Sequence, residues 1–187
     1  MEKIIYESKI NLWEGNAMKK LVILCVNDDK ISVKLVRQIL AKLEEVTFLK
    51  QYTTSKSANE LFEIVPSRTF FDMVEECKFL EYHDEEGVFY GTPHDRSGNG
   101  EGFSLMINNV EIALEIKKYN NKVITVYVLP KEKEEEFRNT KLKWSESRTK
   151  SKLLDFLVTY ETVEEAVDKI VMIAQFMAEN AIYYNTI

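Results

Sequence analysis

Cysteine and histidine are scarce in this chain: its 187 residues include two of each. Cys25 sits in an apolar run and Cys77 near the end of a helical pattern. Two distant thiols make neither a disulfide framework nor a zinc site, and both read as small buried hydrophobes. His83 and His94 have no neighbour at ligand spacing, so no metal is expected. Long apolar runs are missing too. None approaches the roughly 20 residues that cross a bilayer, and Met1 to Ala17 is too polar for a signal-peptide core. The expectation is a cytoplasmic protein without a membrane partner. Nor is there a basic stripe with interleaved aromatics. At a net charge of −6, no nucleic-acid partner is expected.

What is present is an ordinary globular composition, 45% hydrophobic and 30% charged, neither disordered nor fibrous. The length fits one domain with a small subdomain. Lys20 to Val26 reads as a buried strand. Ser32 to Leu43 places Leu35, Val36, Ile39, Leu40 and Leu43 on one helical face. Val46 to Tyr52 reads as a second strand, and Ser67 is placed as the cap of a helix through Phe70, Phe71, Met73 and Val74. A hairpin over Phe79 to Gly91 turns at Gly87, and His94 to Gly102 is a polar loop. Phe103 to Asn108 (strand), Asn109 to Lys118 (helix) and the β-branched run Lys122 to Leu129 (strand) follow. Lys131 to Lys152, rich in both charges, reads as a solvated helix face. Leu154 to Val158 is a last short strand, and Thr162 with Glu165 offers a capping box for the final helix. Strands alternating with helices imply a mostly parallel sheet covered on both faces. The inserted hairpin implies a separate antiparallel subdomain.

One string stands out. Lys78 to Pro93 reads KFLEYHDEEGVFYGTP. It resembles the monophosphate-binding hairpin of guanylate kinases, in which an F-[IL]-E-[WY] strand precedes Y-G-T. Three other stretches in the same order resemble that family: SRTFFDMVEECKFLEY leading into the hairpin, VITVYVLP at Val123 to Pro130, and LLDFLVTYETVEEA at Leu153 to Ala166. The resemblance runs through most of Met18 to Met177. It implies an α/β fold: a three-layer, P-loop-kinase-like parallel sheet with helices on both faces and a small monophosphate-binding-like subdomain. Residues 1–17 would then be an N-terminal extension, 18–187 the guanylate-kinase-like domain, 51–93 the subdomain and 131–152 a shortened lid-like segment. The extension, with Ile4, Ile5, Ile10, Leu12 and Trp13, packs on its own domain or on a partner.

The resemblance also implies site residues. Glu81, Tyr90 and Thr92 stand where the family holds GMP, and Asn108 stands in the strand where many members have D-[IL]-D. The bland alternative leaves Glu81 half-exposed and Tyr90 in the core. The phosphate loop is where the chain departs. A P-loop needs G-x-x-x-x-G-K-[ST], with glycines that let backbone N–H groups curl around phosphates, a lysine for their charge and a hydroxyl for Mg²⁺. The matching stretch is LCVNDDKISVKLV. Val26 and Ile31 fall at the glycine positions, Ser32 at the lysine and Val33 at the hydroxyl. Asp28 and Asp29 add negative charge, and Lys30 is the nearby cation. In the family's T-T-R-x-P-R, the arginines become Ser55 and Ala58. Lys56 is there as a point charge rather than a bidentate fork. Arg138 and Arg148 are the arginines of the lid-like segment.

The sequence therefore predicts a guanylate-kinase-like protein that binds a guanine nucleotide, another small ligand or a protein, without catalysis and without a cofactor. The alternative is a divergent kinase passing phosphate from ATP to GMP with Mg²⁺. A homo-oligomer through the extension is the third reading.

Overall fold

The computed structural model describes residues 5–7, 20–44, 46–94, 103–119, 123–139 and 155–179. Of the expected polar loop, 95–102 lies outside the described residues. So do residues 140–152 of the lid-like segment, Arg148 among them, and most of the extension.

The described residues form two five-stranded sheets. The first strand, β1 (Ile5–Glu7), belongs to the smaller subdomain. The parallel sheet holds β2 (Lys20–Cys25), β3 (Val46–Phe48), β8 (Phe103–Asn108), β9 (Val123–Pro130) and β10 (Phe156–Tyr160). Its order is β10-β9-β2-β8-β3, parallel throughout. Helices cover both faces. α1 (Asp29–Lys42) and α5 (Val163–Glu179) lie on one, where Leu35, Ile39, Val167 and Ile170 pack on Val22, Leu24, Leu105 and Val126. Each such side chain contributes roughly 1.5–3 kcal/mol by burial. α3 (Val110–Tyr119) covers the opposite face through Ile112, Ala113 and Ile116 against Leu21, Ile23 and Met106. A 3-10 turn (Lys131–Lys133) leads from β9 into a short helix, α4, over 134–139.

The second sheet runs β1-β6-β7-β4-β5. It contains β4 (Gln51–Thr53), β5 (Phe62–Ile64) and the hairpin β6 (Phe79–Glu85) with β7 (Val88–Pro93). α2 (Ser67–Glu75) covers it through Phe70 and Met73, which pack on Phe79. The hairpin turns at Glu86 and Gly87, with φ of 56° and 83°, the left-handed pair that a two-residue turn needs. β1 pairs antiparallel with β6, Ile5 opposite His83 and Glu7 opposite Glu81. This part of the extension therefore pairs with its own domain.

Several sequence expectations shift. The strand expected over Val46 to Tyr52 is two strands in different sheets. The chain crosses between them at Leu49 and Lys50, where the Leu49 amide donates to the Leu105 carbonyl at 2.8 Å. α1 starts three residues early because Asp28 caps it. Ser67 is not a cap: the Pro66 carbonyl accepts from the Phe70 amide at 3.0 Å, which makes Pro66 the cap and Ser67 the first helical residue. Thr162 caps α5 as expected, its hydroxyl accepting from the Glu165 amide at 3.2 Å, while the Glu165 carboxylate reaches back to the Glu161 amide at 2.9 Å. Cys25 is fully buried but Cys77 is partly exposed. Among the described residues no helix is long and apolar enough to cross a membrane.

Candidate functional site

β2 and β8 are neighbours, yet the helices that follow them lie on opposite faces of the sheet. A crevice must open where the two chains part, at the strands' carboxyl ends, and this is where open α/β sheets bind ligands. A cleft of about 800 Å³ occupies that position. Its floor is Val26, Ile107, Asn108 and Asn109 at the strand ends. α1 forms one wall, presenting Lys30, Lys34 and Arg37 at spacings of four and three, which places them on one side of a helix. The second sheet forms the other wall with Gln51, Phe62, His83, Glu85 and Tyr90, and the loop after β4 adds Ser55, Ser57, Ala58 and Asn59. Arg37 crosses the mouth to grip Glu60 through two bonds of 2.6 Å. That contact holds the Glu60 carboxyl below, and the Arg37 guanidinium above, its usual range.

The hairpin residues divide into two sets. Tyr90 is on the cleft wall, half-buried, with its ring stacked on His83 at 5.5 Å and edge-on to Phe62 at 5.8 Å. Glu81 and Thr92 are buried, at 4% and 0% exposure, and neither lines the cleft. The bland alternative thus has both residues reversed: Glu81 is the buried one and Tyr90 the partly exposed one. Thr92 donates its hydroxyl to Glu81 Oε1 and accepts from Gln51 Nε2 at 3.2 Å. Glu81 Oε2 lies 3.1 Å from His83 Nδ1. The His83 Nε2 is 3.6 Å from Glu85 Oε1. His83, Gln51 and Glu85 were not singled out in the sequence. The available signal was alternation, which puts residues 81, 83 and 85 on one face of β6.

Asn108 is 7% exposed on the cleft floor, and Asn109 caps α3 by accepting from the Ile112 amide at 2.9 Å. Asp29 and Lys30 reach the cleft through the first turn of α1. Asp28 and Ser32 do not. Asp28 Oδ1 accepts from the Ile31 amide at 2.9 Å, and the buried Ser32 hydroxyl donates to the Asp28 carbonyl at 2.9 Å. No residue from 26 to 31 has a positive φ, so the turn is not a nest of curled N–H groups. Val26 and Ile31 instead pack against the core on the α1 face. The helix N-terminus, ordinarily a ready anion site, is capped by a carboxylate. Lys56 is exposed and does not line the cleft. Arg138 is paired with Glu134 one turn away on α4. Among the described residues no three His, Cys, Asp or Glu side chains converge as metal ligands would.

Beyond the cleft, Tyr127 links β9 to both neighbouring elements. Its hydroxyl accepts from Asn27 Nδ2 at 3.1 Å and its ring stacks on Phe137 of α4 at 4.5 Å. Burial, chiefly, raises its phenol above the usual range.

No protein-family model matches the chain. It is 25% identical to a guanylate kinase of Prochlorococcus marinus (strain MIT 9312) over a 179-residue alignment that covers 84% of this chain and 97% of that protein. In structure it resembles the guanylate kinase of Anaplasma phagocytophilum, with a TM-score of 0.62 at 19% identity and 86% of each chain covered. A de novo designed protein with a P-loop NTPase fold aligns at a TM-score of 0.39 and 15% identity over 88% of this chain and 92% of that one, a distance that carries no argument. In sequence and fold the protein is guanylate-kinase-like.

Proposed function

We propose that this guanylate-kinase-like protein binds a small polar ligand, a nucleotide foremost, in the cleft between its two sheets and does not transfer phosphate. The observation that carries the second half is the Asp28 cap on α1. Phosphoryl transfer relies on donors and cations already in place around the phosphates, and removing one such donor costs roughly 10²–10³ in rate. Here a carboxylate takes the donor at the head of the helix, Asp29 adds a second negative charge, and apolar Val26 and Ile31 anchor the turn to the core. ATP and Mg²⁺ do not fit that turn. The positions of the two family arginines, Ser55 and Ala58, line the cleft without charge.

The first half rests on shape and lining. A concave cleft of this size with a few directed polar groups suits a small molecule better than a protein surface. Calorimetry with GMP, GDP and GTP tests it. Saturable heat with at least one of them is expected, and no heat with any would turn the reading toward a protein-binding module. One observation favours the kinase alternative: Lys30 lies on the cleft wall, where a substitute cation would have to be.

A further inference from the structure

The two sheets are joined by different chemistry on their two sides. On the α3 side the contact is apolar: Leu80 of β6 packs against the cluster that holds Ile112, Ala113 and Ile116. A contact of this kind has no charge for salt to screen. On the α1 side the two bodies stand apart around the cleft. A further void of about 30 Å³ separates Asp29 and Ser32 of α1 from Leu61 and Phe62 of the second body, room enough for a water. Apolar packing on this side is therefore incomplete.

Arg37 and Glu60 bridge this gap. Nε and Nη2 of Arg37 donate to Oε1 and Oε2 of Glu60, each at 2.6 Å. Two nitrogens of one planar fork thus meet both carboxylate oxygens, a geometry that fixes direction as well as distance. Among the described residues no other hydrogen bond joins α1 to residues 51–64. The two side chains are 67% and 47% exposed, so salt reaches the bond. An exposed ion pair adds little to folding stability. Its consequence comes from its place. It ties two bodies across a gap, where a small free energy is enough to shift their arrangement.

We infer that Arg37 and Glu60 form a clasp that sets the spacing of the two sheets across the cleft mouth and makes that spacing depend on ionic strength. The apolar contact at Leu80 serves as the fixed side and the ion pair as the releasable one. The clasp is independent of what the cleft holds, so it stands or falls apart from the ligand-binding reading. Lys50 also acts on the Glu60 charge, which is why the test changes each partner in turn.

The test is a pulsed electron-spin measurement on the full chain, with nitroxide labels at Met172→Cys of α5 and Asp72→Cys of α2 in a Cys77→Ser background. Both labelled positions are exposed, and their helices pack on different sheets. The clasp predicts a narrow distance distribution at low sodium chloride. At about 1 M, where the screening length falls to about 3 Å, the distribution widens and moves. Arg37→Gln and Glu60→Gln should each give the widened distribution already at low salt. The ratio of clasped to open populations should fall about two- to fivefold, the weight of a well-formed exposed ion pair. The double variant should change no more than either single one, because all three remove the same bond. Circular dichroism checks that each variant folds, as expected for exposed positions. One unchanged distribution at both salt concentrations and in every variant overturns the clasp. So does a change in one single variant without the other, since the bond needs both partners.

Discussion

Glu81 and Thr92 face each other across the β6–β7 hairpin, and the Thr92 hydroxyl donates to the Glu81 carboxylate inside the protein. The other carboxylate oxygen lies 3.1 Å from His83 Nδ1. The residue that the family resemblance offers for base recognition is thus occupied by its own neighbours. Truncating it strands two buried partners. Glu81→Ala is expected to destabilise the fold by about 2–3 kcal/mol, the scale for leaving buried polar groups unmade beside a lost charge. Urea unfolding measures this. A loss within about 0.5 kcal/mol, typical of a surface site, would mean that Glu81 is free to serve a ligand instead.

Gly91 explains itself through Phe79. A Cβ built at Gly91 would lie 2.8 Å from both Cδ1 and Cε1 of the Phe79 ring. That ring is 1% exposed and stacked on Phe70 at 4.8 Å, so it cannot swing aside. Gly91→Ala is expected to cost about 1–3 kcal/mol as an overpacked core does. An alanine variant with the midpoint of the parent protein would contradict this packing.

The two thiols should differ in chemistry. Burial, with Glu111 nearby, pushes the Cys25 thiol up to about 12, while Cys77 is partly exposed. A raised value keeps the thiol protonated and unreactive. Iodoacetamide at roughly pH 8 should alkylate Cys77 and spare Cys25, since the thiolate is the nucleophile. Mass spectrometry of the folded protein reads this directly. Equal labelling of both would place β2 closer to solvent than its packing allows.

Much of the fold was legible because its signals are periodic. The 3.6-residue pattern of Leu35, Val36 and Ile39 marks α1, and alternation with a left-handed turn at Glu86-Gly87 marks the hairpin. The crossing between sheets at Leu49 was not legible, because no residue there breaks a strand and the change is set by the Leu105 carbonyl far along the chain. β1 and β5, each of three residues, are too short to show a period. The site divided in the same way. Tyr90, Asn108, Asp29 and Lys30 do reach the cleft, while Glu81, Thr92, Asp28 and Ser32 do not line it. The His83–Glu81 contact follows the countable alternation along β6, but His83 stacking on Tyr90 depends on the cross-strand register, which the sequence does not print. The basic face of α1 could have been read from the spacing of Lys30, Lys34 and Arg37.

The central claim is that the cleft holds a ligand without moving phosphate, because Asp28 closes the head of α1 with its bond to the Ile31 amide. A coupled assay with ATP, Mg²⁺ and GMP tests it most directly. The account predicts turnover no higher than the protein-free background, unchanged in Lys30→Ala. Turnover above background that disappears in Lys30→Ala would contradict it and establish a divergent kinase.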